Sequence, residues 1–288
     1  MSELIYLNGK VMPLAEATIG VEDRGFQFAD GVYEVIRLYN GVPFALQDHL
    51  HRLERSAGGI EMTLPMSIDD LAAAIEGVID QSGIASGMVY LQLTRGCSRR
   101  DHVWNDDTPP TLLFYVRPLP PPVTDLTTSP GVRLMSYADD RWSRCWIKSI
   151  ALLPNVLAKN AAHRAGADEA VFIHNGIVTE GCSTNVFIVL NGTVYTHPAG
   201  PKVLGGITQR RLMQVATELG IPFEERGLSE EQALQADELF ITSTTREIRW
   251  VSRWNDRSIS SEPGPITRRL HEAFLRHIMA ETGSSNRR

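Results

Sequence analysis

A proline-rich stretch near the middle of the chain, Pro118-Leu119-Pro120-Pro121-Pro122, constrains the fold more than any other local feature. Consecutive prolines favour extended polyproline structure, and they cannot continue a helix or the interior of a sheet. The chain has 288 residues, which is enough for two domains at roughly 150 residues per domain. We therefore predict an N-terminal α/β domain over residues 1–120 and a C-terminal domain over residues 121–288.

Both halves combine strand and helix patterns, which indicates the α+β class. Apolar residues at helical spacing, such as Leu46, Leu50 and Leu53, predict helices. Tight hairpin turns are predicted where Asn-Gly pairs interrupt strand-like runs, at Asn8-Gly9, Asn40-Gly41, Asn175-Gly176 and Asn191-Gly192. The predicted strands cover residues 32–39, 42–46, 88–93, 111–116, 132–137, 169–173, 184–190, 193–195 and 239–242. The predicted helices begin near Leu46, Ser67, Ala151, Gly205 and Ile266.

Composition excludes several classes of protein. Hydrophobic residues make up 43% of the chain and charged residues 22%, which is ordinary for a soluble globular protein. A net charge of −6 argues against nucleic acid as a partner, because phosphate binding needs a basic surface. No apolar run reaches the ~18–20 residues that cross a bilayer, and the N-terminus lacks a secretory signal pattern. Three widely spaced cysteines fit reduced thiols better than a disulfide framework or a metal site, so we expect a cytoplasmic protein without metal.

Lysines are rare in this chain, which restricts chemistry that needs an amine. Of the 28 basic residues only four are lysines, and the others are arginines. Lys148 stands in the apolar segment Cys145–Leu153, and burial favours the neutral, nucleophilic form of an amine. A lysine extending from the edge of a core is an equally good interpretation. Lys10 and Lys202 are predicted to be solvated, and Lys159 is predicted to have a surface or helix-end role.

Two segments could bind a phosphate. Gly205-Gly206-Ile207-Thr208 opens a predicted helix, whose first N–H groups and positive dipole end suit an anion. Thr242-Ser243-Thr244-Thr245 places four hydroxyl groups directly after an apolar strand. Taken alone, each segment could equally be a tight loop or a turn.

Charged groups in two further loops could recognise a cofactor or a substrate. Glu180, in Val178-Thr179-Glu180-Gly181, lies at a strand end, where a carboxylate could keep a pyridine nitrogen protonated. The segment from Arg95 to His102 could clamp a carboxylate, because arginine offers a bidentate fork. A solvated turn and a solvated loop are the alternatives. His49 and His51 are two residues apart, a spacing that does not place them on one helix face as metal ligands.

The segment Glu22-Asp23-Arg24-Gly25-Phe26-Gln27-Phe28-Ala29-Asp30-Gly31-Val32-Tyr33-Glu34-Val35 resembles the N-terminal motif of the fold-type IV aminotransferases, which depend on pyridoxal 5'-phosphate (PLP). Within this family, Thr94-Arg95-Gly96 with Arg100-Asp101-His102 resembles the substrate-carboxylate loop of the D-amino-acid aminotransferases (D-alanine aminotransferase). The resemblance runs in order along nearly the whole chain, through Arg141-Trp142, Ile147-Lys148-Ser149, Asn155-Val156-Leu157-Ala158-Lys159, Val178-Thr179-Glu180-Gly181-Cys182-Ser183-Thr184-Asn185, Gly206-Ile207-Thr208 and Asp237-Glu238-Leu239-Phe240-Ile241-Thr242-Ser243-Thr244-Thr245.

The resemblance implies a role for each matching residue. Lys148, carried by the C-terminal cofactor-binding domain, would hold PLP as a Schiff base and move the proton during catalysis. Glu180 would pair with the pyridine nitrogen, and Leu204 would pack on the ring. The phosphate would be held by Arg52, Ile207, Thr208 and Thr244, with Gly206 and Ser243 also in the cofactor site. Tyr33, Arg100 and His102 would grip the substrate α-carboxylate, the last two reaching in from the second subunit of a homodimer.

The implied activity is ping-pong transamination between a D-amino acid, such as D-alanine, and a 2-keto acid, 2-oxoglutarate or pyruvate. The alternatives within the fold are a branched-chain L-amino-acid or (R)-amine transaminase and an aminodeoxychorismate lyase. A PLP-binding protein without activity is a further alternative that Lys148, Arg100 and His102 disfavour. Departures from the family pattern, namely Trp146, Pro154, Cys182-Ser183-Thr184 and the neighbouring Arg99, bear on the range of substrates.

Overall fold

The structure is a computed structural model that describes residues 3–283. These residues form two compact units: the first contains residues 3–121, Ile147–Ala151 and 278–283, and the second contains Pro122–Trp146 and Leu152–His277. Lys148 therefore groups with the first unit, although the sequence placed it in a C-terminal domain of residues 121–288. The reason is local pairing, because Ser149 forms a β-bridge with Val32 of the first unit. The domain boundaries at 120 and 121 stay a prediction.

Six strands form an antiparallel sheet in the first unit: β1 (Leu4–Leu7), β2 (Lys10–Pro13), β3 (Gly31–Tyr39), β4 (Val42–Pro43), β5 (Gly87–Thr94) and β6 (Thr111–Pro118). Their order is β2-β1-β6-β5-β3-β4. Asn8 and Gly9 have φ angles of 47° and 90°, so the predicted turn between β1 and β2 is confirmed. The prediction of a strand over residues 42–46 was too long, because Ala45 adopts a left-handed φ of 54° and caps the next helix.

Three helices complete the first unit: α1 (Arg24–Phe28), α2 (Leu46–Gly58) and α3 (Ile68–Ser82), with a 3₁₀ turn at Leu14–Glu16. Ser67 caps α3 as predicted, since its hydroxyl accepts the N–H of Asp70. Helices α2 and α3 pack their apolar residues against the sheet, and the shared core includes Leu50, Leu53, Leu71, Ile75, Ile36, Leu91 and Phe114. Burying this set is the main force that holds the unit together.

The second unit is built on a mixed sheet of nine strands: β7 (Val132–Ala138), β8 (Glu169–His174), β9 (Ile177–Gly181), β10 (Asn185–Leu190), β11 (Thr193–Thr196), β12 (Phe223–Glu225), β13 (Glu238–Ser243), β14 (Glu247–Trp254) and β15 (Arg257–Ser258). The order is β12-β11-β10-β13-β14-β7-β8-β9, and β15 pairs with β14. The pairs β7–β8, β7–β14 and β11–β12 are parallel, and the others are antiparallel. Fully buried Trp254 packs in the core with Val186, Ile188, Leu239, Ile241 and Val251.

Four helices accompany this sheet: α4 (Leu153–Arg164), α5 (Ile207–Glu218), α6 (Glu230–Ala233) and α7 (Pro265–Thr282), the last of which returns to the first unit from Ile278. A 3₁₀ turn lies at Leu126–Thr128. Helix α4 starts at Leu153, two residues later than predicted, with Pro154 in its first turn, where a missing N–H is tolerated. No helix within residues 3–283 is long and apolar enough to cross a membrane.

Candidate active site

Lys148 lies in the first unit beside Tyr33, another of the residues that the sequence singled out. Its Nζ lies 4.3 Å from the centroid of the Tyr33 ring. The backbone of Lys148 is fixed on both sides, because its N–H donates to Ser56 Oγ at 3.1 Å and its carbonyl accepts the N–H of Tyr33 at 3.0 Å. Ile147 and Ser149 are buried, while Lys148 is half-buried. The segment therefore presents one amine from an anchored backbone.

Two of the other three lysines have structural contacts. Lys159 forms an ion pair of 2.6 Å with Glu169, a buried carboxylate that also accepts the backbone N–H of Ser183. Lys202 was predicted to be solvated, but it is half-buried and its Nζ donates to the carbonyl of Arg141 at 2.6 Å. Lys10 is exposed. These contacts favour Lys148 as the nucleophile.

Arg52 lies in a buried cluster of α2 and β3. Its Nε and Nη2 donate to the two oxygens of Glu34 at 2.6 and 2.8 Å, and His49 Nδ1 lies 2.7 Å from Glu34. Burial alone would raise the pKa of Glu34, but Arg52 and His49 hold it well below its usual range. Burial, Arg52 and Lys148 lower the pKa of His49, although Glu34 raises it. The cluster thus fixes the orientation of the Arg52 guanidinium, which carries the charge expected of a phosphate ligand.

Glu180 is the penultimate residue of β9 in the second unit and is held by a buried arginine. Arg141 Nη1 lies 2.6 Å from Glu180 Oε1, and the same guanidinium forms two hydrogen bonds to Asp139. Burial alone would lower the pKa of Arg141, but Asp139 and Glu180 raise it. Glu180 is therefore part of an ordered charge network and not a solvated turn residue.

Leu204 is attached to this network through its backbone. Its N–H donates to Glu180 Oε2 at 3.0 Å, and its carbonyl accepts from Asn185 Nδ2 at 2.9 Å. Gly206 caps the following helix α5, whose first residues are Ile207 and Thr208, both buried. The first backbone N–H groups of a helix have no partner within it, so this helix start can bind an anion.

Ser243 and Thr244 lie where β13 turns into β14. Ser243 Oγ accepts the N–H of Arg246 at 3.2 Å, and both side chains are half-buried. In the second unit, the structure therefore supplies hydroxyl groups at this turn, N–H groups at the start of α5 and a fixed carboxylate at Glu180. A group of three His, Cys, Asp or Glu side chains able to hold a metal ion does not occur within residues 3–283.

Arg100 and His102 lie in an exposed loop of the first unit and are grouped with Phe28 of α1. The Arg100 guanidinium carbon is 4.6 Å from the centroid of the Phe28 ring, and the His102 ring centroid is 5.6 Å from it. Buried Asp23 ties both ends of the loop, since its Oδ2 accepts from Thr94 Oγ1 at 3.0 Å and from Thr111 Oγ1 at 2.7 Å. The two predicted carboxylate ligands therefore share one support.

Sequence reasoning missed several residues that organise these groups. Glu34, Arg141 and Asn185 lie within the quoted motifs but were given no role, and His49 was considered only as a metal ligand. Glu34 could have been recognised as an acidic residue inside a strand of β-branched and aromatic neighbours. Arg141 follows Asp139 by two residues, but its pairing with Glu180 spans 39 residues and leaves no local signal.

Known proteins resemble this chain over nearly its full length. The family model for class IV aminotransferases matches residues 31–254. The chain is 39% identical over 282 residues to D-alanine aminotransferase from Bacillus licheniformis, covering 98% of this chain and 99% of that protein. A solved branched-chain amino acid aminotransferase from Escherichia coli has a TM-score of 0.90 at 26% identity, covering 99% of this chain and 97% of that one. A second branched-chain enzyme (T.th.), solved with pyridoxamine 5'-phosphate, has a TM-score of 0.89 at 27% identity, covering 99% of this chain and 96% of that one.

The chain belongs to the class IV aminotransferases, as the family model and the full-length relatives show. It is accordingly a PLP-dependent enzyme of the fold-type IV, α+β class. The residues present fit this cofactor in their chemistry: Lys148 in the first unit offers an amine, and in the second unit Glu180 offers a carboxylate and the start of α5 offers backbone N–H groups.

Proposed function

We propose that this enzyme transfers the amino group of a D-amino acid, such as D-alanine, to a 2-keto acid such as 2-oxoglutarate or pyruvate in a ping-pong reaction. The observation that carries the proposal is the loop with Arg100 and His102, which is anchored on Phe28 and retains the residue types expected of a carboxylate clamp. The near full-length relation to a D-alanine aminotransferase supports it.

The residue roles form part of the proposal. Lys148 bonds the cofactor, Glu180 pairs with its pyridine nitrogen, and Leu204 packs on its ring. Tyr33, Arg100 and His102 bind the substrate carboxylate. The residues that hold the phosphate or line the cofactor site are Arg52, Gly206, Ile207, Thr208, Ser243 and Thr244.

When bound, PLP supplies an electron sink for the negative charge that develops at the substrate Cα. The protein's residues hold the reactants and move the proton. The Lys148 amine would accept the proton from the substrate Cα as a general base and would then donate it to the cofactor C4′ as a general acid. Arg141 keeps the Glu180 carboxylate oriented, and Glu180 holds a proton on the pyridine nitrogen. Arg100 and His102 orient the α-carboxylate, which decides the configuration of the amino acid that reacts.

We propose a homodimer in which Arg100 and His102 serve the site of the partner subunit. Their loop is exposed between residues 99 and 107, so its side chains are accessible to a second copy of the chain. The proposed location is the cytoplasm, which the three cysteines support as reduced thiols.

The experiment that tests the function is a steady-state assay with 2-oxoglutarate as acceptor and D-alanine, L-leucine or (R)-1-phenylethylamine as donor. We expect D-alanine to give the highest kcat/KM. Preference for L-leucine would instead favour a branched-chain L-amino-acid transaminase, the activity named for the solved structures with 25–27% identity. Repeated release of pyruvate from aminodeoxychorismate without an amino acceptor would identify a lyase, and chiral analysis of the amino acid formed from 2-oxoglutarate would show which enantiomer forms.

A further inference from the structure

The loop that carries Arg100 and His102 contains no element that could hold these side chains by itself. Residues 99–107 are exposed, and residues 98–110 contain neither a helix nor a strand. Long charged side chains on such a segment lose rotational freedom when they bind a ligand, so a preorganising support increases their affinity. The first unit supplies this support from α1.

Arg24 reaches from the first turn of α1 to the backbone of the loop. Its Nη1 donates to the carbonyl of Asp101 at 2.6 Å, and its Nη2 donates to the carbonyl of His102 at 3.4 Å. Its Nε donates to Asp30 at 2.8 Å, and the residue is only 4% exposed. All three nitrogens are thus directed to groups of the protein, so Arg24 acts on the loop and not on the substrate.

Phe28 extends the same support to the side chains. The guanidinium carbons of Arg24 and Arg100 lie 4.8 and 4.6 Å from the centroid of its ring, and the ring of His102 packs beside it. Cation–π contacts of this kind restrict the direction of a guanidinium. Arg24 therefore fixes the backbone at 101 and 102, and Phe28 restricts the two side chains on either side of Asp101.

Asp30 links Arg24 to a second arginine. One oxygen of Asp30 accepts from Arg24 Nε and from Arg95 Nε, at 2.8 and 2.9 Å. Burial alone would raise the pKa of Asp30, but Arg95 and Arg24 lower it, which keeps the carboxylate charged. Arg95 in turn stacks on Trp104, 4.2 Å from its ring, further along the loop. The loop is thus anchored through Arg24 at residues 101 and 102 and through Arg95 at residue 104.

We infer that Arg24 is a positioning residue for substrate selection: it sets the loop so that Arg100 and His102 meet the α-carboxylate of the substrate. This inference rests on the proposed function. It assigns the Asp23-Arg24-Gly25 part of the N-terminal motif to recognition of the carboxylate, through the loop and without contact to the substrate.

The test is a double-mutant cycle in which kcat and KM for D-alanine are measured. Arg24→Gln is introduced into the wild type and into a variant that carries both Arg100→Ala and His102→Ala. Alone, Arg24→Gln is expected to raise KM about tenfold or more, because a displaced clamp binds poorly, while kcat changes little. In the Arg100→Ala/His102→Ala background it is expected to change kcat/KM less than about threefold, since the side chains it positions are gone. Arg117→Gln, a substitution of an exposed arginine in β6, is the matched control.

A second measurement follows the loop independently of catalysis. Trypsin cleaves after arginine, and the rate of cleavage after Arg99 and Arg100 reports how firmly the loop is held. Arg24→Gln should raise this rate at least about fivefold relative to Arg117→Gln, as expected when local opening becomes easier. Arg24→Lys, which keeps a charge beside Asp30 but cannot bind both carbonyls, should fall between the wild type and Arg24→Gln.

An unchanged KM, or an equal loss of kcat/KM in both backgrounds of the cycle, would overturn the inference. If Arg24→Gln does not fold, Arg24→Lys replaces it in every arm of the experiment. If the wild type does not use D-alanine, the proposed function fails; if Arg100→Ala leaves the KM unchanged, only the role proposed for Arg100 fails. The trypsin experiment then still decides whether Arg24 holds the loop, because it requires no substrate.

Discussion

A guanidinium nitrogen of Arg141 lies 2.6 Å from one carboxylate oxygen of Glu180, and the backbone N–H of Leu204 donates to the other oxygen at 3.0 Å. We expect Glu180→Gln to lower kcat by about 100-fold or more, the usual order for removing a preorganised charge. The amide cannot stabilise a protonated pyridine nitrogen, whereas the phosphate contacts remain, so the cofactor content should change little.

The measurement is single-turnover kinetics together with the PLP content of the purified protein. Arg141→Lys provides the comparison, because it keeps the charge but loses the planar fork that binds Asp139 and Glu180 together. It should reduce turnover less than Glu180→Gln. Unchanged turnover in Glu180→Gln would show that this carboxylate has no role in the reaction.

PLP should be attached to Lys148. Its backbone is anchored to Ser56 and Tyr33, while Lys159 and Lys202 are engaged by Glu169 and by the carbonyl of Arg141. Borohydride reduction followed by peptide mass mapping should place the pyridoxyl group on Lys148. Its recovery on Lys159 or Lys202 would refute the assignment.

Arg100 rather than Arg99 should bind the substrate carboxylate, because the Arg100 guanidinium packs on the Phe28 ring. A charge-assisted contact in a partly desolvated site contributes on the order of 2–4 kcal/mol, so Arg100→Ala should lower kcat/KM for D-alanine roughly 30- to 1000-fold. An (R)-amine without a carboxylate should lose little. Arg99→Ala is the control, and a defect in that variant alone would place the clamp one residue earlier.

Gly96→Ala should destabilise the loop far more than a glycine substitution with the same backbone angle elsewhere. Gly96 has a φ of +91°, and an added Cβ would lie 1.9 Å from the carbonyl oxygen of Pro109. Gly9 has a φ of +90° with open space around it, so Gly9→Ala should cost only about 1 kcal/mol. Gly96→Ala should cost about 2 kcal/mol more, measured by urea unfolding. If both substitutions lowered the free energy of unfolding equally, the backbone near Gly96 and Pro109 would have shifted to relieve the clash.

His271 should make the protein less stable in acid. Burial lowers the pKa of His271 from 6.5 and Arg249 acts in the same direction, whereas a hydrogen bond with the Val123 backbone, Glu272 and Asp125 act against it. The unfolded chain therefore takes up a proton that the folded protein binds only at lower pH. Stability that is present above pH 6.5 is lost as the pH falls from 6.5 through the lower pKa that His271 has in the folded protein.

His271→Gln should consequently show a smaller drop in Tm between pH values above and below 6.5 than the wild type shows. The substitution of the exposed His163 by Gln is the control and should keep the wild-type dependence. An identical pH dependence in all three proteins would mean that other groups determine the acid stability.

Local signals predicted the parts of the fold that local chemistry decides. The turn at Asn8-Gly9 and the cap at Ser67 depend only on neighbouring residues, and both are observed. Strand β14 was not predicted, because Arg249 and Arg253 interrupt its apolar pattern. Its strand character comes from pairing with β13 and β7, which lies outside any local window.

The candidate site was predictable to a similar extent. Lys148 and Glu180 could be singled out from the rarity of lysine, the setting of each residue and the family resemblance. Arg141 could not, since its partner Glu180 is 39 residues away and only the folded sheet joins them. Arg24 was likewise quoted as part of a motif, but its contacts with the carbonyls of Asp101 and His102 cross 77 and 78 residues.

The backbone of Leu204 is held by two hydrogen bonds: its N–H donates to Glu180, and its carbonyl accepts from Asn185. Neither contact involves the side chain of residue 204. Evolution or an engineer can therefore exchange this side chain for a smaller or larger one while the charge network around Glu180 keeps its geometry. Position 204 is for that reason a place where the packing proposed against the cofactor ring can be varied separately from the charges that surround it.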